Sequence, residues 1–273
     1  MIIQTASAGR PRLAIMMHEH TALSGQFARA FGNAEFQSIT PLDEVVYIIA
    51  NHDEGWARLD RDPETDPATD LPWNLVETPA RLIVPTSKGS PDFNERHHPY
   101  SGLLSSMHSW GLYNGRYGLS KQVLIDGIPA QDRPIAQKML DGELQRQERL
   151  KAAIKQNPAE AAWIDEQHSF QNYKHLQFCD TLALYFNRTH REARGELVFE
   201  HVPLDEKRDV NVTIRPRGAD TYELAPFPFA RSGGEFAFAG RYISPGEQKK
   251  AGGWPAVFRN SATTWESFKL VSA

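Results

Sequence analysis

The stretch IIANHDEGW, residues 48–56, ends an apolar run with a histidine and an aspartate side by side. Preceded by PLDEVVY, it reads as one helix from Pro41 to Asp60, with a proline-led start and acidic residues in its first turn. At helical spacing, Val45, Ile48 and Ile49 lie one or two turns before His52, and Trp56 and Leu59 one or two turns after it. His52 therefore falls in the middle of the buried stripe. Asp53 is rotated about 100° from it, among Val46, Ile49 and Trp56. A carboxylate in such a place is costly unless something compensates it. A cation in the wedge between the two side chains would do so, and imidazole with carboxylate suits zinc, iron, manganese or a similar divalent ion.

The same pattern recurs on three other helical segments. His20 begins the apolar face of HEHTALSGQFARAFG, which continues through Leu23, Ser24, Phe27, Ala30 and Phe31. His108 stands between Leu104 and Leu112 in PYSGLLSSMHSWGLY, and Asp180 shares a face with Tyr173, Leu176, Ala183 and Leu184. Taken singly, each reads more readily as a hydrogen-bonded core residue than as a ligand. No Lys or Arg stands on those faces, and buried charges are normally paired or metal-bound, so one shared metal accounts for all of them.

Two textures divide the chain. Residues 1–195 read as a mainly helical metal-binding domain, and residues 196–273 as a β-rich subdomain. Residues 61–98, rich in Pro, Asp and Thr, read as a long irregular insertion. IAQKMLDGELQRQERLKAAIKQ is strongly helix-forming, and Pro158 opens a last long helix through LQFCDTLALYF. After Gly195 the period changes to two in GELVFEHV, DVNVTIRP, TYELAPF, EFAFAGRYI and TWESFKLV, which predicts a small, mostly antiparallel sheet. RLAIMM near the start reads as an edge strand. The expected fold is thus mainly α, a helical bundle with a small antiparallel sheet appended at the C-terminus.

A hydrophobic fraction of 40% and a charged fraction of 23% in 273 residues are those of an ordinary globular protein. The net charge of −4, without long runs of either sign, points to neither nucleic acid nor an anionic membrane as partner. A single cysteine, Cys179, excludes an internal disulfide and suggests the cytoplasm. The N-terminus reads as no signal peptide, and no stretch approaches the roughly 20 apolar residues of a membrane helix. There is no GxSxG, no GxxxxGK[ST] and no GxGxxG.

The order His20, His52–Asp53, Asp180 on helical segments resembles the HD-domain superfamily, an all-helical fold built around a metal. HTALSGQFARAFG, NHDEGW, LLSSMHSWGLY and NYKHLQFCDTLALYF also look like an uncharacterised bacterial family with a β-rich tail. The HD resemblance implies His20, His52, Asp53 and Asp180 as ligands of a first ion. It implies His108, with His97 or His98, as candidates for a second, although His98 and His108 are about 15 Å apart along a straight helix. It further implies a metal-dependent phosphohydrolase acting on a small, phosphorylated substrate through a metal-activated water. One or two ions of Fe, Mn, Zn or Mg would serve, with Asp53 or Glu54 taking the water's proton and His108 assisting. The RHHP segment (His97, His98) reads as a phosphate pocket or as a plain turn. Arg116 and Lys121 read as contacts to an anionic substrate or as surface residues. A two-iron oxygenase and a non-enzymatic metal-binding protein are the alternatives.

Overall fold

The computed structural model describes residues 1–7 and 9–273. Two short strands, β1 (Ile2–Ile3) and β2 (Arg12–Ile15), lead into helix α1 (Met17–Ala30), which buries His20, Leu23, Ser24 and Phe27 as its periodicity requires. Helix α2 (Leu42–Asn51) crosses it closely. A Cβ on Gly25 would come within 2.7 Å of the Ala50 Cβ, so the crossing needs a residue without one. The expected single helix from Pro41 to Asp60 is broken at the His–Asp pair. His52 keeps helical angles, Asp53 leaves them at φ −112° and ψ 22°, and a single 3-10 turn (Glu54–Trp56) precedes helix α3 (Ala57–Arg61). Asp53 is therefore aimed by a chain break and not by helical rotation.

A two-stranded ribbon, β3 (Thr65–Asp66) with β4 (Leu71–Pro72), follows. The segment 61–98 is not an irregular insertion throughout, because helix α4 (Ala80–Glu95) runs through both Pro85 and Pro91. Pro91 has no N–H for the carbonyl of Ser87. That carbonyl instead accepts the hydroxyl of Ser109, at 2.7 Å, from helix α5 (Pro99–Tyr113). Gly55 lies directly on α4: a Cβ there would meet the Thr86 carbonyl at 2.0 Å, and its N–H donates to Ser90 Oγ at 3.0 Å. This contact fixes the His–Asp turn. Helix α6 (Arg133–Ile154) packs on α5, and α7 (Glu166–Arg188) opens at Glu166 and not just after Pro158, since a 3-10 turn at Ala161–Ile164 intervenes.

The remaining strands are β5 (Leu197–Pro203), β6 (Asp209–Pro216), β7 (Thr221–Ala225), β8 (Gly234–Ile243) and β9 (Thr264–Ser272). Between the last two lie helices α8 (Glu247–Ala251) and α9 (Trp254–Asn260), neither of them legible in the strand-like reading of this region. The expected small C-terminal sheet is overturned. One seven-stranded sheet runs in the order β1-β2-β8-β9-β7-β6-β5, joins both ends of the chain, and contains a parallel pair, β7 with β9. The fold is mixed, with about half of the chain helical, and not a helical bundle with an appendage. The reason is pairing. β2 lies against β8 with Leu13 opposite Tyr242, so RLAI is an integral strand that links β1 to the rest.

Helices α1 and α7 lie against the sheet, with Phe27 and Phe186 facing Phe236 and Phe268. Among the described residues, no helix is long and apolar enough to cross a membrane.

Candidate metal centre

Four buried side chains meet where α1, α5 and α7 surround the end of α2. His20 and His52 have no exposure, His108 has 3% and Asp180 has 4%. His20 Nε2 lies 3.2 Å from Asp180 Oδ1, and His52 Nε2 lies 3.7 Å from the same oxygen and 3.5 Å from Asp53 Oδ2. The rings of His20 and His52 are 5.4 Å apart edge to face, and those of His52 and His108 5.1 Å. His20, His52 and Asp180 form one triad and His52, Asp53 and His108 another, each with its donor atoms within 4.8 Å of one another. Two donors bound about 2.1 Å from one ion sit roughly 3–4 Å apart, so these separations suit a shared cation.

The far sides of the imidazoles are tied down. His20 Nδ1 lies 2.9 Å from Asn187 Oδ1, and His52 Nδ1 2.7 Å from the carbonyl of Ile49. Both acceptors are oxygens, so each Nδ1 carries the proton and donates it. Each Nε2 then turns a lone pair toward carboxylate oxygen. This is the arrangement in which metal-binding histidines are held. His52 Nε2 makes no hydrogen bond.

Without a metal, protons take the cation's place. Burial works to lower the His52 pKa, but the charge of Asp53 and the contact with Asp180 outweigh it, and the value rises to about 9. Burial favours the neutral form of Asp180 too, yet His20 and His52 hold its carboxyl well below the usual range. Asp53 is pushed up, first by burial. His108 is pushed down to about 3, chiefly by burial and then by repulsion from His52, so it is neutral at physiological pH. Its Nδ1 receives the Gln177 carboxamide at 2.7 Å, while Gln177 Oε1 has no partner.

The centre opens on two sides. A cavity of about 250 Å³ is lined by Asp53, His108, Asp180 and Arg116, with apolar walls including Leu112 and Leu184. A larger cleft of about 680 Å³ shares Asp53 and adds Glu54. Arg116 reaches Asp180 Oδ2 at 3.9 Å from an unusual turn. Gly115, Arg116, Tyr117 and Gly118 all have positive φ, at 64°, 53°, 57° and 88°. For non-glycine residues this backbone costs about 1–2 kcal/mol each, and such strain concentrates at functional positions. Tyr117 is held in it by the rings of Trp110, Phe170 and Tyr173.

The structure thus gathers His20, His52, Asp53, His108, Asp180 and Arg116, with Glu54 lining the larger cleft. It does not gather the other candidates. His98 caps α5, accepting the Tyr100 N–H on Nδ1 at 3.1 Å, and His97 stacks on Tyr47 with ring centres 3.5 Å apart. Both therefore belong to the far end of α5. Lys121 is exposed and lines neither cleft, although its neighbour Gln122 lines the smaller one. Sequence reasoning missed Asn187 and Gln177. The signal was present, since Tyr173, Gln177, Asp180 and Asn187 fall at helical spacing on one face of α7.

Fold and site together define a mixed α/β protein with a buried His–Asp centre between its helices and a strained arginine beside it. Residues 1–244 match a family described as protein of unknown function (DUF3891), and the chain belongs to that family. No curated protein and no solved structure matches it. The resemblance to the HD-domain superfamily is overturned: the family matched is one of unknown function, and a seven-stranded sheet accompanies the helices where that superfamily is all-helical.

Proposed function

We propose that this protein is a metal-dependent hydrolase of small phosphate esters. The observation that carries the reading is the pair of buried imidazoles, each donating Nδ1–H to an oxygen and turning Nε2 onto Asp180. His20, His52, Asp53 and Asp180 would hold a divalent ion of Fe, Mn, Zn or Mg, with neutral His108, whose Nδ1 accepts from Gln177 and whose Nε2 therefore carries the proton, as a hydrogen-bond donor beside it. Such an ion lowers the pKa of a bound water from 15.7 toward about 7 and polarises a phosphoryl oxygen.

The chain's own groups supply the rest. Arg116, a two-pronged donor beside Asp180, is placed to hold phosphoryl oxygens in the smaller cavity. Asp53, whose carboxyl is raised by burial, is suited to accept a proton from water at the centre. Glu54, next in the chain and lining the larger cleft, passes that proton on. The apolar walls exclude water and accept the carbon part of the ester. The single buried, unpaired Cys179 is consistent with a cytoplasmic setting.

The test is elemental analysis of the purified protein beside His52→Ala and Asp180→Ala, with hydrolysis of p-nitrophenyl phosphate measured on each. Stoichiometric metal in the wild type, lost with activity in both variants, is the expected result. Equal metal content in all three would remove the centre. Iron alone, with an oxygen-dependent absorption change and no hydrolysis, would favour oxygen chemistry over hydrolysis.

A further inference from the structure

The larger cleft holds three arginines that the proposed hydrolysis does not use. Arg61 comes from α3, Arg241 from β8 and Arg259 from α9, and all three line the same 680 Å³ space. Arg146, by contrast, is paired with Asp92, Glu95 and Glu143. Among the described residues, none of these three has a carboxylate within 4.0 Å. Arg241 Nε is buried and makes no hydrogen bond. A buried donor without a partner is costly, and three guanidinium forks around one cavity are too many for any acid in its lining. Asp60 is already engaged, accepting the Met17 N–H at 2.6 Å. Asp53 and Glu54 remain, and Asp53 faces the metal centre.

We propose that this cleft is a binding site for a small molecule carrying more than one phosphate charge, held by Arg61, Arg241 and Arg259. The guanidinium fork matches phosphate oxygens in pairs. A space of 680 Å³ is much larger than a lone phosphate needs and lies within the range of small-molecule sites. Its floor has apolar surface for the rest of such a ligand, from Met16, Phe93 and Phe258. Because Asp53 borders both clefts, a ligand seated on the arginines lies beside a residue of the metal centre. That it is substrate there rests on the function proposed above; that it binds does not.

Pyrophosphate titrated calorimetrically into metal-stripped protein tests the site. Wild-type protein is expected to bind it, and Arg241→Ala and Arg259→Ala each to weaken binding about ten- to a hundredfold, the worth of a charged hydrogen bond. Arg231→Ala, on an exposed turn, is the control and is expected to bind as the wild type does. The Arg61→Ala/Arg259→Ala double variant removes two exposed side chains only, so it decides the matter should Arg241→Ala fail to fold. No binding by the wild type, or unchanged affinity in the arginine variants, overturns the site. Metal content measured on the same preparations before stripping keeps the two ideas apart. A protein that holds metal and ignores pyrophosphate refutes only this site, and one that binds pyrophosphate through the arginines without ever holding metal refutes only the metal centre.

Discussion

Helices α1 and α7 each have two buried faces, and the two could hardly differ more. Toward the sheet, Phe27 and Phe186 meet Phe236 and Phe268, with Phe186 stacked on Phe268 at 3.6 Å and 11°. Toward α2 and α5, the same helices present His20, Asp180, Asn187 and Gln177. The aromatic face is satisfied by area alone, since burial is non-directional and each large ring contributes about 1.5–3 kcal/mol. The polar face needs particular partners, and it leaves His52 Nε2, Tyr173 Oη, Gln177 Oε1 and Asn187 Nδ2 without any. One seam is what stability alone would produce. The other keeps unmet polar atoms in the interior, as the proposed metal centre requires.

The largest effect that separates the seams is expected from Phe186→Ala. Truncating a buried phenylalanine costs about 3–5 kcal/mol, and Phe186 touches rings from α1, β7 and β9. Urea denaturation should show that loss, while the folded fraction keeps its full metal content. If the folded fraction loses metal as well, the two faces are one mechanical unit.

A smaller effect is expected at Asn187, whose side-chain oxygen accepts from the back of His20. Removing such a supporting acceptor typically weakens metal affinity ten- to a hundredfold, equivalent to about 1.4–2.8 kcal/mol. Asn187→Ala should show this in competition with a chelator, and Asn187→Asp, which keeps the acceptor, should restore most of it. Since Asn187 Nδ2 has no partner, the aspartate forfeits no hydrogen bond. Equal affinity in all three proteins would mean that the His20 orientation is set elsewhere.

The aromatic face was easier to read than the polar one, and the reason is physical. Alternation in TWESFKLV gives β9 directly, with Phe268 and Leu270 buried and Lys269 exposed, because one buried face enforces a period of two. The inward turn of His20, His52, His108 and Asp180 was also legible, since a helix reports which residues share a face. What no local pattern reports is pairing between distant segments. That RLAI would sit against β8, or that β9 would insert between β8 and β7, depends on contacts more than two hundred residues apart for β2 and β8. Helix α4 was hidden for a different reason. Pro85 and Pro91 spoil its local signal, and the carbonyl freed by Pro91 is satisfied by Ser109, a residue 22 positions away. The break at Asp53 was concealed likewise, because Gly55 needs α4 to lie against. His97 and His98 show the converse failure: two adjacent histidines suggested chemistry, yet the ring of His98 caps a helix and lies 3.5 Å from Glu160, away from the centre.

The smallest expected effect tests whether every unpaired buried histidine belongs to the polar seam. His175 is fully buried on α7, and neither ring nitrogen has a partner. It faces the aromatic side, edge to face with Phe31 at 4.6 Å. Burial, then the charges of Lys174 and His168, push its pKa down to about 3. Its folded value thus lies below that of the unfolded chain, and below pH 6.5 the unfolded state binds the extra proton. Stability is lost as pH falls, at up to about 1.4 kcal/mol per pH unit, or about 1.4 kcal/mol in all between pH 7.5 and 5.5. His108 slopes the same way, so the wild-type curve alone cannot assign the effect. The difference between wild type and His175→Leu can, because His108 is common to both. Chemical denaturation at several pH values should give a shallower acid-side loss for the leucine variant, with unchanged metal affinity. Parallel curves would mean that His175 finds a partner in solution, and a drop in metal affinity would move it from the aromatic seam to the polar one.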